Sequence, residues 1–232
     1  MKAVILAGGL GTRLKPFTDI IPKPLIAING EETILEIQIK SLASCGFTDI
    51  YIATNYKSNL IESYLGDGSN FGINLFYSKE SKRLGTCGPV SLLKDKLTEP
   101  FLVMNGDILT DLNFKNIFLE AVNDDSLLMV GIKNILTPFD FGNVTIKNNK
   151  IVKIEEKPHF CFQILAGIYV MKTGIFDYIP DDTYFGVDEL IQVFLKKSIP
   201  ISSYLIEDYW IDIGRVDSLD EAKEKFSENA KK

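Results

Sequence analysis

"KAVILAGGLGTRLKPFT", residues 2–18, decides how the chain begins to fold. Ala3 to Ala7 is an unbroken apolar run of Val, Ile, Leu and Ala, the composition of a strand buried on both faces of a parallel sheet. Gly8, Gly9 and Gly11 follow it, then Thr12, Arg13 and Lys15. Glycines let backbone N–H groups approach an anion closely, and turns of this kind form concave anion-binding nests. Arg13 and Lys15 can then meet phosphate oxygens, arginine in forked geometry. The same spacing also suits a tight strand-to-helix turn with solvated cations. Two familiar phosphate-binding patterns fail. The Walker pattern needs Lys-Ser/Thr after its last glycine, where Thr12-Arg13 stands, and the dinucleotide fingerprint needs a third glycine where Leu14 stands.

Downstream, short apolar runs alternate with longer periodic ones. "TILEIQIKSLASCG" (33–46) reads as a helix with a Thr33/Glu36 capping box and a Gly46 stop. "DIYIAT" (49–54) and "INLFYS" (73–78) read as strands on either side of a helix "SNLIESYLG" (58–66). "GPVSLLKDKL" (88–97) reads as a helix with Pro89 in its first turn, and "PFLVMNGD" (100–107) as a fourth strand. This β-α-β-α-β-α-β order predicts a Rossmann-like α/β fold, three layers α/β/α around a mostly parallel, mixed sheet. Ligands bind beyond the carboxyl ends of such strands, which points to the glycine stretch, "TNY" (54–56) and "NGD" (105–107).

The second half mixes a strand "DSLLMVGI" (125–132), a hairpin turning at Asn148-Asn149, a strand "ILAGIYVMK" (164–172) and a short helix to Ile179. A helix "GVDELIQVFLKK" (186–197), strands "ISSYLIE" and "YWIDIG", and a closing amphipathic helix "VDSLDEAKEKF" (216–226) complete it. No repeat or linker divides the 232 residues, so one domain is expected, its second half extending the sheet and walling a cleft.

The formal charge of −6 argues against a nucleic-acid partner, so phosphate binding should be local. Cys45, Cys87 and Cys161 are widely spaced and His159 is the single histidine, which argues against a disulfide framework, a zinc site and a Ser-His-Asp triad. The apolar run Ala3 to Ala7 is too short for a signal peptide or a membrane span, so a cytoplasmic protein without a membrane partner is expected.

"LAGGLGTRLKPFT" with "PKP" (22–24), "LGTCG" (84–88), "NGD", "EEKP" (155–158), "AGIYV" (166–170) and "WIDIG" (210–214) resembles, in order and over nearly the whole chain, the sugar-1-phosphate nucleotidylyltransferases. The resemblance implies that a nucleoside triphosphate and a sugar 1-phosphate are joined with release of pyrophosphate. It divides the domain into a nucleotide-binding half, about 1–110, and a sugar-phosphate-binding half, about 111–232. Leu6, Ala7, Gly8, Gly9, Gly11 and Thr12 would lie against the nucleotide, and Arg13 would hold the β and γ phosphates. Lys23, restrained by Pro22 and Pro24, would reach the α-phosphate. Asp107 and Asp212, each beside apolar residues, would hold Mg²⁺, which needs few protein carboxylates. Asp111 suits a loop or helix cap better than a ligand.

Gly85, Thr86 and Gly88 would face the base, and "LGTCG" is similar to the stretch in guanylyltransferases for mannose- and heptose-type sugar phosphates, which favours GTP. Glu156 and Lys157 would meet the sugar hydroxyls and phosphate, and Gly142, Ala166 and Gly167 would let the sugar approach the backbone. Many relatives carry Asn where Leu165 stands, so one sugar contact is missing or supplied elsewhere. Cys87 reads as a small buried thiol, His159 as a loop residue, and Phe185-Gly186 as a border of the sugar site. A cytidylyl-, uridylyl- or thymidylyltransferase and a non-catalytic regulatory paralogue remain as alternatives. A nicotinamide oxidoreductase is disfavoured by Leu14. The left-handed repeat domain of some relatives is not expected, nor acetyltransferase activity, and the aromatic content leaves room for a homo-oligomer.

Overall fold

The computed structural model describes residues 1–229. Strand β1 (Lys2–Leu6) is followed by a short helical turn α1 (Phe17–Ile20), α2 (Ile34–Ser44), β2 (Asp49–Thr54), α3 (Ser58–Leu65), β3 (Asn74–Lys79), α4 (Gly88–Ser91) and β4 (Phe101–Asn105). Then come β5 (Ile108–Thr110), α5 (Phe114–Asn123), β6 (Leu128–Pro138), β7 (Asn143–Lys147), β8 (Lys150–Glu155) and β9 (His159–Met171). Helix α6 (Val187–Lys196), β10 (Ser202–Leu205), β11 (Trp210–Asp212) and α7 (Val216–Asn229) complete it.

The central sheet has seven strands in the order β10-β6-β9-β4-β1-β2-β3. All neighbours are parallel except β9, which runs antiparallel to both β4 and β6. The fold is therefore the expected α/β one, and the mixed second half does extend the first sheet. Strand periodicity splits the core in two. Ala3 and Ile5 pack on one face with Leu35, Ile39 and Phe118, while Val4 faces the other with Val90, Leu190 and Phe194. A third, smaller cluster joins Leu14, Ile34, Leu109, Ile213 and Leu219 beneath the two-stranded β5–β11 sheet. It anchors the glycine turn, the start of α2 and the last strand to one another at the rim that carries Arg13, Lys23, Asp107 and Asp212.

Local signals explain most boundaries. Thr33 and Glu36 form the capping box, with Glu36 N donating to Thr33 Oγ1 at 3.3 Å and Thr33 N to Glu36 Oε2 at 2.8 Å. Asn148 and Asn149 adopt φ of 49° and 60°, the left-handed pair that a two-residue hairpin turn needs. The helix expected over 88–97 is a single turn, α4: beyond Ser91 several N–H groups close on the third carbonyl back, as Lys94 N does on Ser91 O and Lys96 N on Leu93 O. Strands β6 and β9 run past the sheet as a two-stranded ribbon, paired as far as Pro138 with His159. The hairpin β7–β8 lies between these two strands in sequence, and Phe141, Ile146, Ile151 and Ile154 are exposed there. Among the described residues no helix is long and apolar enough to cross a membrane.

Candidate active site

A cavity of ≈ 450 Å³ opens at the carboxyl ends of the parallel strands. Gly8 to Thr12 line one side, Leu84, Gly85, Thr86, Pro89 and Tyr184 the other, and Leu6, Asn105 and Asp107 also border it. The glycines do different work. Gly11 has φ +62°, and a Cβ there would stand 2.7 Å from Thr18 Cγ2. A Cβ on Gly8 would stand 2.7 Å from Glu80 Oε1. A Cβ on Gly9 would meet nothing within 4 Å. Internal packing therefore explains Gly11, a Cβ on Gly8 would displace only the carboxylate end of Glu80, and the space beside Gly9 is open. Ala7 is buried behind the turn and donates from its N–H to Ala53 O at 2.7 Å.

A smaller cavity of ≈ 210 Å³ shares Gly9, Gly11, Thr12 and Asp107 with the first and adds Arg13, Lys23 and Gly214. Lys23 is buried, and its Nζ lies 2.6 Å from Asp107 Oδ2. Strand β11 pairs antiparallel with β5 so that Asp212 stands opposite Ile108, and Ile213 N donates to Asp107 O at 2.9 Å. Asp107 and Asp212 are thus brought together from the middle and the end of the sequence. Partial burial, then the neighbouring Asp107, raises the Asp212 pKa above its ordinary value, with Lys23 and Arg13 opposing the shift. A Cβ on Gly214 would stand 3.0 Å from Arg13 Nη2 and 3.1 Å from Asp212 Oδ1, so this glycine leaves room for both side chains.

The turn that carries Asp107 is fixed by a residue the sequence did not reveal. Gln38, on α2, is buried, and its Nε2 donates to Asn105 O at 2.9 Å and Ile108 O at 2.7 Å. Both partners are carbonyls, so the amide orientation is determined and Oε1 is left buried without a partner. An orphan of this kind costs about 1–3 kcal/mol, a cost consistent with a residue kept for position. Gln38→Leu should lower kcat about tenfold or more while the KM for nucleotide stays within about twofold, by analogy with misplaced catalytic groups; steady-state kinetics with a thermal melt checks this.

The loop "LGTCG" is sewn to the segment before α6. Cys87 N and Gly88 N both donate to Phe185 O, at 2.9 and 3.0 Å, and Thr86 Oγ1 accepts from Val187 N at 2.8 Å. Gly85 has φ +81° and lines the cavity, whereas Gly88 is buried behind its wall, where a Cβ would stand 2.6 Å from Thr183 O. Cys87 is fully buried, and burial pushes its thiol up to about 12. Asp111 lies on the loop after β5, its carboxylate 3.6 Å from Lys225 Nζ.

The sugar-side candidates are split. Gly167 has φ +70°, and a Cβ there would stand 2.7 Å from Asn105 Nδ2, so β9 passes directly beside a cavity residue. Ala166 is buried, with its carbonyl accepting from Trp210 Nε1 at 2.8 Å. Gly142, Glu156 and Lys157 cluster instead at the foot of the hairpin, where a Cβ on Gly142 would lie 3.2 Å from Glu156 Oε2; all three are exposed and line neither cavity. Leu165 is exposed on the ribbon, as is His159. The cavity also includes Glu80, Arg83 and Tyr184, which no motif marked.

The glycine turn, two cations and two carboxylates thus share one strand end of an α/β protein. Residues 2–229 match the family described as "Nucleotidyl transferase", and the chain belongs to that family. It is 35% identical over 226 residues to the mannose-1-phosphate guanyltransferase of Neurospora crassa, and 34% identical over 225 residues to the mannose-1-phosphate guanylyltransferase catalytic subunit beta of Dictyostelium discoideum. Each alignment covers 93% of this chain, and the chain spans 61% of the length of each of these curated relatives. Among solved structures, a putative glucose-1-phosphate thymidylyltransferase from Bacillus anthracis superposes with a TM-score of 0.80 at 27% identity, covering 98% of this chain and 95% of the other. HddC from Yersinia pseudotuberculosis, complexed with GMP-PN, superposes with a TM-score of 0.73 at 27% identity, covering 97% and 99%.

Proposed function

We propose that the chain transfers a nucleotidyl group from a nucleoside triphosphate, GTP first among them, to a sugar 1-phosphate, giving a nucleoside diphosphate sugar and pyrophosphate. The observation that carries this reading is the convergence of Arg13, Lys23, Asp107 and Asp212 at the mouth of a cavity beside the open Gly9 turn. GTP and a mannose-type acceptor are suggested by the names of the curated relatives and by the "LGTCG" loop.

Both reactants are anions, so charge neutralisation and alignment carry most of the acceleration. The backbone N–H groups of the glycine turn and Arg13 hold the β and γ phosphates, and Arg13 takes up the charge that develops on departing pyrophosphate. Lys23 reaches the α-phosphate, exchanging its bond to Asp107 for one to phosphate. The attacking oxygen belongs to the sugar phosphate, which is already ionised and needs no general base. Cys87 is sealed away with its thiol raised, and the displacement is direct, from substrate to substrate. Glu156 and Lys157, exposed at the hairpin foot outside both cavities, would meet the sugar phosphate from that side.

Two adjacent carboxylates, one with its pKa raised by its surroundings, form the oxygen donor set that a hard divalent cation takes, with phosphate and water completing the shell. Asp107 and Asp212 would hold Mg²⁺. Bound there, the ion would screen the repulsion between reactants and polarise the α-phosphate. The test is pyrophosphate release across four nucleoside triphosphates and a panel of sugar 1-phosphates, with Mg²⁺ and with a chelator. Activity with GTP and a manno-configured acceptor, lost on chelation, is expected; activity with none of the pairs would refute the reading.

A further inference from the structure

The hairpin β7–β8 has two unlike faces. Val144 stands opposite Ile154 and Ile146 opposite Ile151, and a bulge between them gives β8 the extra residue that keeps both pairs on one side. Residues directly opposite on antiparallel strands share a face, so the other side carries Asn143 with Glu155, Thr145 with Lys153 and Lys147 with Lys150. One face is thus apolar throughout and the other polar throughout. Strands alternate in this way where one side is covered, yet Val144, Ile146, Ile151 and Ile154 are 43%, 61%, 68% and 67% exposed. An isolated two-stranded hairpin is marginally stable in water, and this one lies outside the central sheet.

The apolar surface continues onto the β6–β9 ribbon. A Cβ on Gly142 would lie 3.8 Å from Ile154 Cδ1, and Phe141, the residue before it, begins a row of rings. Centroids are 5.7 Å apart from Phe141 to Phe139, 5.7 Å from Phe139 to Phe160 and 6.5 Å from Phe160 to Phe162. All four rings are exposed, Phe141 by 71%. At roughly 150–200 Å² per large side chain, these four aromatic and four aliphatic residues leave about 800 Å² uncovered. That exceeds the roughly 300–600 Å² of the largest patch on an ordinary monomer and equals the area each partner brings to a standard interface. Charge distinguishes the partner. Lys147 and Lys150 face each other at the hairpin tip, and neither joins an ion pair among the described residues. Like charges directly opposite repel, so an acid between them would be favourable. Lys153 is paired with Glu155 at 2.8 Å, which leaves Asp140 and Glu156 against Lys157 at the foot. The tip is basic and the foot is acidic.

We propose that this surface is the interface of a homodimer, in which two copies of the chain pack hairpin to hairpin, antiparallel, about a two-fold axis. Each patch then covers its equal, as an isologous contact requires, and the basic tip of one hairpin lies over the acidic foot of the other. A parallel arrangement would set tip against tip and is disfavoured by the same charges. A lipid surface asks instead for a basic rim around the apolar face, which an acidic foot on a chain of formal charge −6 does not supply. The interface involves no substrate, so it stands or falls apart from the nucleotidyl-transfer reading.

Sedimentation velocity of the full chain, without substrate, reads the association. The wild type should be mostly dimer at about 10 µM. Ile151→Glu sets a carboxylate in the apolar centre and should weaken association about a hundredfold or more, while a thermal melt stays near that of the wild type because the residue is exposed in the monomer. Thr145→Glu, on the opposite face, should leave the dimer intact. Lys147→Glu should weaken it, and adding Asp140→Lys to the same chain should restore it, since tip and foot meet across the axis. A wild type that stays monomeric at about 100 µM overturns the proposal. So does a dimer that a folded Ile151→Glu leaves intact, and so does one that Thr145→Glu dissolves equally. If Ile151→Glu does not fold, the charge exchange decides: failure of Asp140→Lys to restore association overturns the pairing. A monomer that floats with vesicles of phosphatidylcholine and phosphatidylserine, and loses this with Ile151→Glu, overturns it in favour of a lipid surface.

Discussion

Asp107→Asn is expected to lower kcat about a thousandfold, while the protein folds as before. The substitution keeps the shape of the side chain and leaves untouched the backbone bonds that hold its turn. Gly106 N still donates to Leu6 O, Ile213 N to Asp107 O, and Gln38 to the carbonyls on either side. What disappears is one negative charge from a cluster of two acids and two bases. Lys23 loses the partner that neutralises it at 2.6 Å, and the proposed divalent ion would lose one of its two carboxylates. The thermal midpoint should move by no more than a few degrees. A variant with near wild-type kcat would remove Asp107 from the reaction.

Lys23→Met is expected to cost a hundred- to a thousandfold in kcat/KM, about the effect of deleting one preorganised donor to a developing charge. Methionine keeps most of the buried stem packed, so the loss reports the ammonium. The substitution also leaves Asp107 without its cation beside Asp212, and the two carboxylates then repel each other with Arg13 as the remaining cation that opposes the repulsion. Two readouts therefore diverge: turnover falls, while titration with Mn²⁺ should show the acid pair binding a cation more tightly than in the wild type, because Lys23 no longer competes for Asp107. Loss of both turnover and cation binding would mean that Lys23 organises the site rather than acting on phosphate.

Much of the fold was legible because its signals are local. The Thr33/Glu36 box, the stops at Gly46 and Gly66, and the Asn148-Asn149 turn each settle their geometry within a few residues. Helix α5 went unread although Asn113 caps it by accepting from Lys115 N, and Phe114, Ile117, Phe118 and Ala121 mark its buried face. Its signal lay between two stronger motifs. The 88–97 helix was overread, since Leu93 and Leu97 are buried there by turns as well as a helix would bury them.

The charged cluster was legible because four motif residues turn out to share one rim. Gln38 was not, for a physical reason: it acts through carbonyls more than sixty residues away and leaves no local pattern. Gly88 shows the reverse: its motif neighbours face the cavity, while the residue itself is a glycine because Thr183 O sits where a side chain would go. The hairpin foot with Gly142, Glu156 and Lys157 forms its own cluster beside the ribbon.

The most direct measurement follows the α-phosphate. GTP labelled at that position, incubated with the protein, mannose 1-phosphate and Mg²⁺, should pass its label into GDP-mannose with one pyrophosphate released per label transferred, and nothing should happen when the sugar phosphate is left out. Label that stays in GTP, or that appears in GMP without a sugar acceptor, would contradict a site built to join the two anions.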